Sequence, residues 1–223
     1  MNANTHITSV ERPCLEQNYY EVLDQDNVTI VDISKKSGNE ILEFTETGIK
    51  TTDGKIHEAD VIALATGFDV ANGSLTQMGL KSVHGTSLED DWKSSTTAYL
   101  GVTISGYPNF FYLYGPQGPT LLSNGPSTVE VQGRWIRDCI NLVSRQGLKY
   151  IDPEKEAELA WKKKVNELGD ASLFPTVRGS TYMGGNVPGR AFEMVSYGAG
   201  VGKYREEIRG ALTGWKGFRT VKA

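Results

Sequence analysis

The chain has 223 residues, of which 39% are hydrophobic and 22% charged, a composition typical of a globular protein that buries a core. Its 23 Lys and Arg residues are outnumbered by 27 Asp and Glu residues and are spread along the chain, which excludes nucleic acid as its main partner. No segment approaches the roughly 18 apolar residues needed to span a bilayer, so we predict no membrane partner and a cytoplasmic location.

The first elements are short strands. Asn27–Asp32 alternates and is rich in β-branched residues, and Ile41–Phe44 and Gly48–Thr52 are two further runs of strand type. Asp53-Gly54 suits a tight hairpin turn, because glycine tolerates positive φ. We therefore predict a small antiparallel meander.

Two later runs have the apolar character of buried strands. Asp60–Ala65 is apolar without alternation, as expected of a strand covered on both faces, and it stops at Thr66-Gly67. Phe110–Tyr114 is the second such run, closed by Gly115-Pro116. Both are predicted strands of the main sheet.

Helices are predicted for much of the remainder. Ser127–Gln146 carries an apolar stripe at helical spacing and ends at Gly147, a suitable terminal cap. Asp152-Pro153 is predicted to open a second helix that runs to about Leu168. The segment 169–188 is rich in turn residues and is predicted to be a loop, and a last helix is predicted from about residue 203 to residue 212.

The segment Asp60–Asp69 is the most informative for function. A buried strand that ends in Ala-Thr-Gly turns out at the carboxyl edge of a sheet, where open α/β sheets bind their ligands. Gly67 would allow a cofactor to approach closely, and Thr66 offers a hydroxyl and an amide. The alternative interpretation is a strand followed by an ordinary glycine turn.

Several motifs in order carry a resemblance to a known family. The hairpin leading into Asp60–Asp69 resembles flavoproteins that have two dinucleotide-binding domains. Three further segments make the chain similar to monooxygenases of the Baeyer-Villiger type: Thr97–Pro119 with its Gly-Pro-Gln-Gly-Pro loop, Leu122–Pro126 with the following helix, and Leu173–Pro175 followed by Tyr182–Gly189.

This resemblance implies an α/β fold, a partial two-dinucleotide-binding-domain flavoprotein fold with an incomplete Rossmann-like FAD domain, a β-meander and carboxyl-terminal helices. Residues 1–70 would contain the end of the NADP-binding domain, the meander and the strand that returns to the FAD domain. Residues 71–223 would form the carboxyl-terminal part of the FAD and substrate domain, with a lid loop at 179–190.

The resemblance also implies an activity and a set of contacts. FAD and NADPH would be the cofactors, and an oxygen atom would be inserted next to the carbonyl of a ketone to give an ester or lactone. No residue is assigned a catalytic role. The residues expected to bind the cofactors are Thr66, Gly67, Phe68, Asp69, Gly115, Pro116, Gln117, Gly118, Pro119 and Asn186.

Both cofactors are expected to require an amino-terminal half, because the sequence contains no GxGxxG loop to hold a pyrophosphate. Gly198–Gly202 runs GxGxG with Lys203 where a third small residue is needed, so we interpret it as a glycine-rich turn. Thr181 stands where the family usually has a tryptophan that helps seat the nicotinamide ribose. A separately encoded half, a truncated gene and an incomplete gene model are all compatible with the sequence.

Two other functions stay open. The chain could be a cofactor-free remnant that binds or regulates an intact relative or has no function. It could also be part of an N- or S-oxygenating flavin monooxygenase, although the Gly115–Pro119 loop and the Tyr182–Gly189 loop argue against this.

Cysteine, histidine and tryptophan residues receive structural or surface assignments. Cys14 and Cys139 are far apart, and the three histidines share no spacing with carboxylates, so no metal site is predicted. The four tryptophans show no common spacing and are assigned to the core: Trp92, Trp135, Trp161 and Trp215.

Overall fold

A computed structural model describes residues 16–177 and 179–223. These residues divide into two compact units, one ending at Gly67 and the other running from Phe68 to Ala223. No helix within the described ranges is long and apolar enough to cross a lipid bilayer. The assignment of the two parts of the chain to NADP- and FAD-binding domains stays a prediction.

The unit that ends at Gly67 contains the predicted meander. A short helix, α1 (Tyr19–Leu23), precedes three antiparallel strands in the order β1 (Ile41–Thr45), β2 (Gly48–Thr51) and β3 (Ile56–Glu58). The predicted turn at Asp53-Gly54 joins β2 to β3, with Gly54 at a φ of 85°. The predicted hairpin is confirmed, and its strands pair Gly48 with Glu58, Ile49 with His57 and Lys50 with Ile56.

The prediction of a strand at Asn27–Asp32 is wrong. The segment forms no ladder, and its end folds back where the Asp32 carboxylate accepts a hydrogen bond from the amide of Ser34 at 2.8 Å. Two of its β-branched side chains, Thr29 and Val31, instead line an open cavity of about 510 Å³ beside the sheet, together with Ile41 and Ile49. Apolar and polar residues alternate in this segment, but its backbone is not hydrogen-bonded to a neighbouring strand among the described residues.

The prediction of a buried strand at Asp60–Ala65 is also wrong for the described chain. The run is extended without regular structure, and the side chains of Val61 and Leu64 are 84% and 70% exposed. A strand of a parallel sheet needs a hydrogen-bonded neighbour on at least one side. No such neighbour exists among the described residues.

The second unit contains most of the helices and one small sheet. In chain order its elements are α2 (Gly73–Thr76), α3 (Leu88–Asp91), α4 (Gly125–Arg145), β4 (Leu148–Pro153), α5 (Lys155–Asp170), α6 (Gly200–Ala211) and β5 (Phe218–Lys222). Two turns of 3-10 helix lie between α5 and α6, at Phe174–Thr176 and Thr181–Met183. The glycine-rich stretch at 198–202 therefore ends inside the first turn of α6.

The long helices follow their sequence signals. The Asn124 side chain accepts a hydrogen bond from the Ser127 amide at the start of α4, and Gly147 adopts a left-handed φ of 61° just after its end. The apolar stripe of α4 buries Trp135 and Cys139. The helix predicted at 127–146 is confirmed, and the last helix is confirmed with a start three residues earlier than expected.

The predicted helix start at Asp152-Pro153 is wrong. Both residues lie in β4, which pairs antiparallel with β5, and α5 begins two residues later. The Asp152 carboxylate accepts hydrogen bonds from the amide of Gly106 at 2.9 Å and from Arg219 at 2.8 Å. The aspartate therefore stabilises long-range contacts rather than a helix terminus.

The predicted strand at Phe110–Tyr114 is wrong as well. Asn109 and Tyr114 have positive φ values of 56° and 55°, which interrupt extended backbone at both ends. Within the described part of the chain, only the Tyr112 amide of this segment makes a backbone hydrogen bond to a facing segment, at the carbonyl of Val102. The segment is nevertheless a core segment, with Tyr112 buried.

Two apolar cores lie within the second unit. The larger is formed by α4, α5, α6 and β4 and includes Trp135, Trp161 and Trp215, and the smaller surrounds α2 and α3 and includes Trp92. The assignment of all four tryptophans to the core is confirmed, since each is less than 9% exposed.

Candidate cofactor site

The loop Gly115–Pro119 is buried in the second unit. Gln117 is 1% exposed, and both ends of its side-chain amide are used within the chain. Its Oε1 accepts a hydrogen bond from the amide of Ala98 at 3.1 Å, and its Nε2 donates to the carbonyl of Thr96 at 2.8 Å. These two hydrogen bonds hold the loop against residues 96–98, and the cofactor-binding role of Gln117 stays a prediction.

The two glycines of the loop are required by internal packing. A Cβ on Gly115 would lie 2.5 Å from the ring of Tyr112, and a Cβ on Gly118 would lie 2.8 Å from Nε2 of Gln132. Gln132, on the buried face of α4, also accepts a hydrogen bond from the amide of Tyr114 at 2.8 Å. The glycines thus let the loop lie against α4.

An extended segment, residues 193–197, joins this loop to the predicted lid loop. On one side, the amide of Gln117 donates to the carbonyl of Val195 at 2.7 Å. On the other side, the amide of Val195 donates to the carbonyl of Tyr182 at 2.9 Å. Two of the predicted cofactor-binding loops are therefore held against the same stretch of backbone.

The lid loop is anchored at its beginning and open at its tip. Tyr182 is buried with its ring 4.7 Å from that of Phe174, whereas Asn186 is exposed. Beside the tip lies an open cavity of about 470 Å³. It is lined by Pro175, Gly185, Val187, Pro188, Gly189, Arg190 and Phe192.

The end of the lid loop is tied to Asp69. Nη1 of Arg190 donates to Oδ1 of Asp69 at 2.5 Å, and Nη2 of Arg190 bonds to Oδ2, which makes a two-pronged ion pair. The Arg190 guanidinium holds the pKa of Asp69 below its usual range, against the opposing effect of burial. Asp69, which is expected to lie near the cofactors, thus forms an ion pair with the lid loop.

We expect Asp69→Asn to loosen the end of the lid loop in the chain as it stands. The side chain of the substituted asparagine cannot form the two charge-assisted hydrogen bonds with Arg190. Exchange of the backbone amides at 184–190 should therefore become roughly tenfold faster at neutral pH. Because the folded pKa of Asp69 lies below its ordinary value of 3.8, its stabilising effect is present above that pH. The effect is lost as the pH falls through the folded pKa.

Hydrogen exchange followed by mass spectrometry measures this change, with Asp170→Asn at the exposed end of α5 as the control. Equal exchange in the wild type and Asp69→Asn at neutral pH would contradict the role given to the ion pair. A difference that persisted in strong acid would show that charge is not its origin.

A buried polar network continues from this ion pair. Nδ2 of Asn72 donates to the hydroxyl of Thr96 at 2.5 Å, while Oδ1 of Asn72 is buried and has no donor among the described residues. The Thr96 amide donates to the carboxylate of Glu193 at 2.7 Å. Hydrogen bonds therefore connect Asp69 through Asn72 and Thr96 to Glu193.

Thr66, Gly67 and Phe68 are exposed, with Phe68 85% accessible. Gly67 has a φ of 86°, and no atom lies within 4 Å of a Cβ built there. The open side of Gly67 fits the close approach of a flat or anionic group, and its positive φ is also what an ordinary glycine turn requires. The cofactor-binding role of these residues stays a prediction.

Sequence reasoning missed Arg190 and Glu193, which hold the lid loop and the segment after it. The available signal was a single carboxylate inside the apolar run Phe192–Val195. A charged residue in such a run needs a partner when it is buried. Nothing local identified Asp69 as the partner of Arg190, or Thr96 and Lys162 as the partners of Glu193, because these residues lie far away in sequence.

The chain is similar to flavin monooxygenases over nearly its whole length. It is 50% identical to the FAD-binding monooxygenase acrE of Aspergillus aculeatus, over 96% of this chain and 35% of that protein. It is 37% identical to cyclopentanone 1,2-monooxygenase of Comamonas sp., over 96% of this chain and 38% of that protein. A phenazine N-monooxygenase of Lysobacter antibioticus is 35% identical over 89% of this chain.

The structure is likewise similar to cyclohexanone monooxygenase from Rhodococcus sp. Phi1 bound to NADP⁺. The TM-score is 0.87 at 36% identity, covering 96% of this chain and 39% of that chain. The chain thus spans 35% to 39% of the length of acrE, cyclopentanone 1,2-monooxygenase and cyclohexanone monooxygenase. It matches the carboxyl-terminal portion of these proteins. No protein-family model matches the chain.

Proposed function

The chain belongs to the Baeyer-Villiger-type flavin monooxygenases, matching their carboxyl-terminal portion, and from this premise we propose that it forms one wall and the lid of an FAD- and NADPH-dependent site that oxygenates a ketone. The match over nearly the whole chain is the observation that carries this proposal. The Thr66-Gly67 edge, the Gly-Pro-Gln-Gly-Pro loop and the lid loop all lie within the matched part of the chain.

The chain's own residues would position the cofactor and exclude water. When bound, FAD reduced by NADPH supplies the redox chemistry that activates oxygen. Thr66, Gly67 and Phe68 offer an exposed edge for cofactor contact, and Asn186 offers an exposed amide at the tip of the lid. Gly115–Pro119 would act as the rigid support beneath the site, because these residues are buried and Gln117 is fully bonded.

The lid loop is suited to water exclusion. Its cavity is lined mainly by apolar residues such as Pro175, Val187 and Phe192. Arg190 fixes one end of the loop to Asp69, so closure would swing the tip while the anchored end stays in place. A closed apolar lid prevents solvent from diverting the oxygenation reaction.

Completion by a further polypeptide is part of the proposal. The run Asp60–Phe68 exposes Val61, Leu64 and Phe68, which is unusual for a run so rich in apolar residues. An amino-terminal half, encoded separately or in the same gene, would supply both a sheet neighbour for this run and the phosphate-binding loops that the sequence lacks.

Complementation tests this proposal. The chain is mixed with the amino-terminal portion of cyclopentanone monooxygenase that it does not match, and FAD retention, NADPH consumption and lactone formation from cyclopentanone are measured. We expect the chain alone to retain less than about one tenth of the FAD held by the mixture, because the pyrophosphate anchors are missing. Val61→Asp with Leu64→Asp should prevent complementation, whereas Met78→Asp, another exposed apolar site, should not.

The outcomes separate the candidate functions. Flavin retention with N-oxide formation from phenazine but no lactone would favour the N-oxygenating alternative, which the phenazine N-monooxygenase relative supports. Flavin-free mixtures with no oxygenation of either substrate would overturn the proposal and favour a cofactor-free remnant.

A further inference from the structure

Helix α6 separates its charges onto two faces. Glu207 bonds to Lys164 at 2.6 Å and to the hydroxyl of Tyr197 at 3.0 Å, so its carboxylate faces α5. Arg205 and Arg209, four residues apart, instead line a cleft between α6 and α4. Two like charges at this spacing destabilise a helix unless something opposite in charge lies between them.

The cleft collects four arginines around a fixed floor. Arg134 and Arg137 of α4 face the two arginines of α6 across an open space of about 360 Å³. The floor contains the indole of Trp135, whose Nε1 donates to the carbonyl of Ile208 at 2.6 Å and so joins the two helices. The arginines therefore project from a rigid base.

The carboxylates in the cleft do not neutralise it. Glu130 bonds to Arg134 and Asp138 bonds to Arg137, both within α4. Arg205 and Arg209 form no ion pair with any carboxylate in residues 16–177 and 179–223. The cleft has four guanidinium groups and two carboxylates, a local charge of +2 in a chain whose net charge is −4.

We propose that this cleft binds the phosphate or pyrophosphate group of a small molecule. Guanidinium groups donate paired hydrogen bonds whose geometry matches phosphate oxygens, and they remain charged at any physiological pH. The volume is at the lower end of the range for small-molecule pockets, which suits a phosphorylated headgroup. None of these residues belongs to the candidate cofactor site, so the inference does not rest on the proposed function.

Titration calorimetry of the chain with inorganic pyrophosphate tests this inference. We expect saturable binding, with affinity reduced about tenfold by Arg205→Gln and about a hundredfold by Arg205→Gln with Arg209→Gln. Arg205→Lys keeps the charge but loses the fork, so it should bind at an intermediate affinity. Lys203→Gln is the matched control, because it removes the same charge from the same helix outside the cleft, and it should bind within about twofold of the wild type.

Two results would overturn the inference. One is the absence of saturable binding by the wild-type chain at millimolar pyrophosphate. The other is an equal loss of affinity in Lys203→Gln and Arg205→Gln, which would mean that the anion responds only to net charge. Circular dichroism of each variant checks that α6 remains folded, and the Lys variant keeps the test valid if a Gln variant does not fold.

Discussion

Trp161→Ala is expected to lower the free energy of unfolding of the second unit by roughly 3–5 kcal/mol, the loss typical of removing a large buried ring. Trp161 is 6% exposed, and its ring lies parallel to that of Tyr197 with centroids 5.3 Å apart. Its Nε1 donates to the carbonyl of Gln117 at 3.1 Å. The substitution therefore removes a core side chain and also the support under the Gly-Pro-Gln-Gly-Pro loop.

Two variants separate these effects in a urea titration. Trp161→Phe keeps an aromatic ring but leaves the carbonyl of Gln117 without its donor, so we expect a loss of about 1–2 kcal/mol. Leu159→Ala changes an apolar residue on the exposed side of the same helix and should cost less than about 1 kcal/mol. A Trp161→Ala midpoint close to that of Leu159→Ala would contradict the buried role of the ring.

Local sequence signals predicted α4, α6 and the β2–β3 hairpin, whereas the short helices α1, α2 and α3 were not predicted. The stripe of α4, its Asn124 cap and Gly147 all act within a few residues of one another, and so does the Asp53-Gly54 turn. Such features depend on backbone geometry that the neighbouring residues determine. The same holds for α6, whose predicted ends differ from the observed ends by only a few residues.

The errors fall where structure depends on distant residues. Whether Asp60–Ala65 becomes a strand depends on a hydrogen-bonded neighbour, which its own composition cannot supply. Asp152-Pro153 has the local pattern of a helix start, yet it pairs with Phe218–Lys222, more than sixty residues away in sequence. A long-range pairing of this kind overrides a local preference.

The candidate site was predictable in part. The lid loop and Gly115–Pro119 were both expected to contribute to one cofactor site, and the structure places them against the same segment, 193–197. The bonds that hold them there were not predictable. Gln117 was expected to lie beside the flavin, but its side chain is bonded inside the chain. Its role follows from the carbonyl of Thr96 and the amide of Ala98, which no motif identifies.

The carboxylate of Glu193 connects the segment after the lid loop to the rest of the second unit. The carboxylate is 12% exposed and lies 2.7 Å from Nζ of Lys162 on α5. It also accepts hydrogen bonds from the amide of Thr96 at 2.7 Å and the hydroxyl of Ser95 at 3.0 Å. Thr96 in turn bonds to Gln117, so one side chain connects the lid segment, α5 and the buried loop.

Glu193→Ala is therefore expected to lower the free energy of unfolding by about 3 kcal/mol, because it leaves a half-buried ammonium and a buried amide without their acceptor. Glu193→Gln keeps an acceptor for the Thr96 amide but loses the charge, so we expect about half that loss. Glu167→Ala is the control, since its carboxylate is 64% exposed and lies 3.8 Å from Lys163. An exposed pair of this kind contributes less than about 1 kcal/mol.

Urea titration gives the three stabilities, and amide exchange at 181–197 locates the change. Glu193→Ala should accelerate exchange at Val195 and Tyr197, whose amides bond to the lid and to the loop, as well as at the lid itself. Glu167→Ala should change none of these. If Glu193→Ala destabilised the unit without faster exchange in this segment, the carboxylate would stabilise α5 alone. The lid and the Gly-Pro-Gln-Gly-Pro loop would then be coupled only through backbone hydrogen bonds.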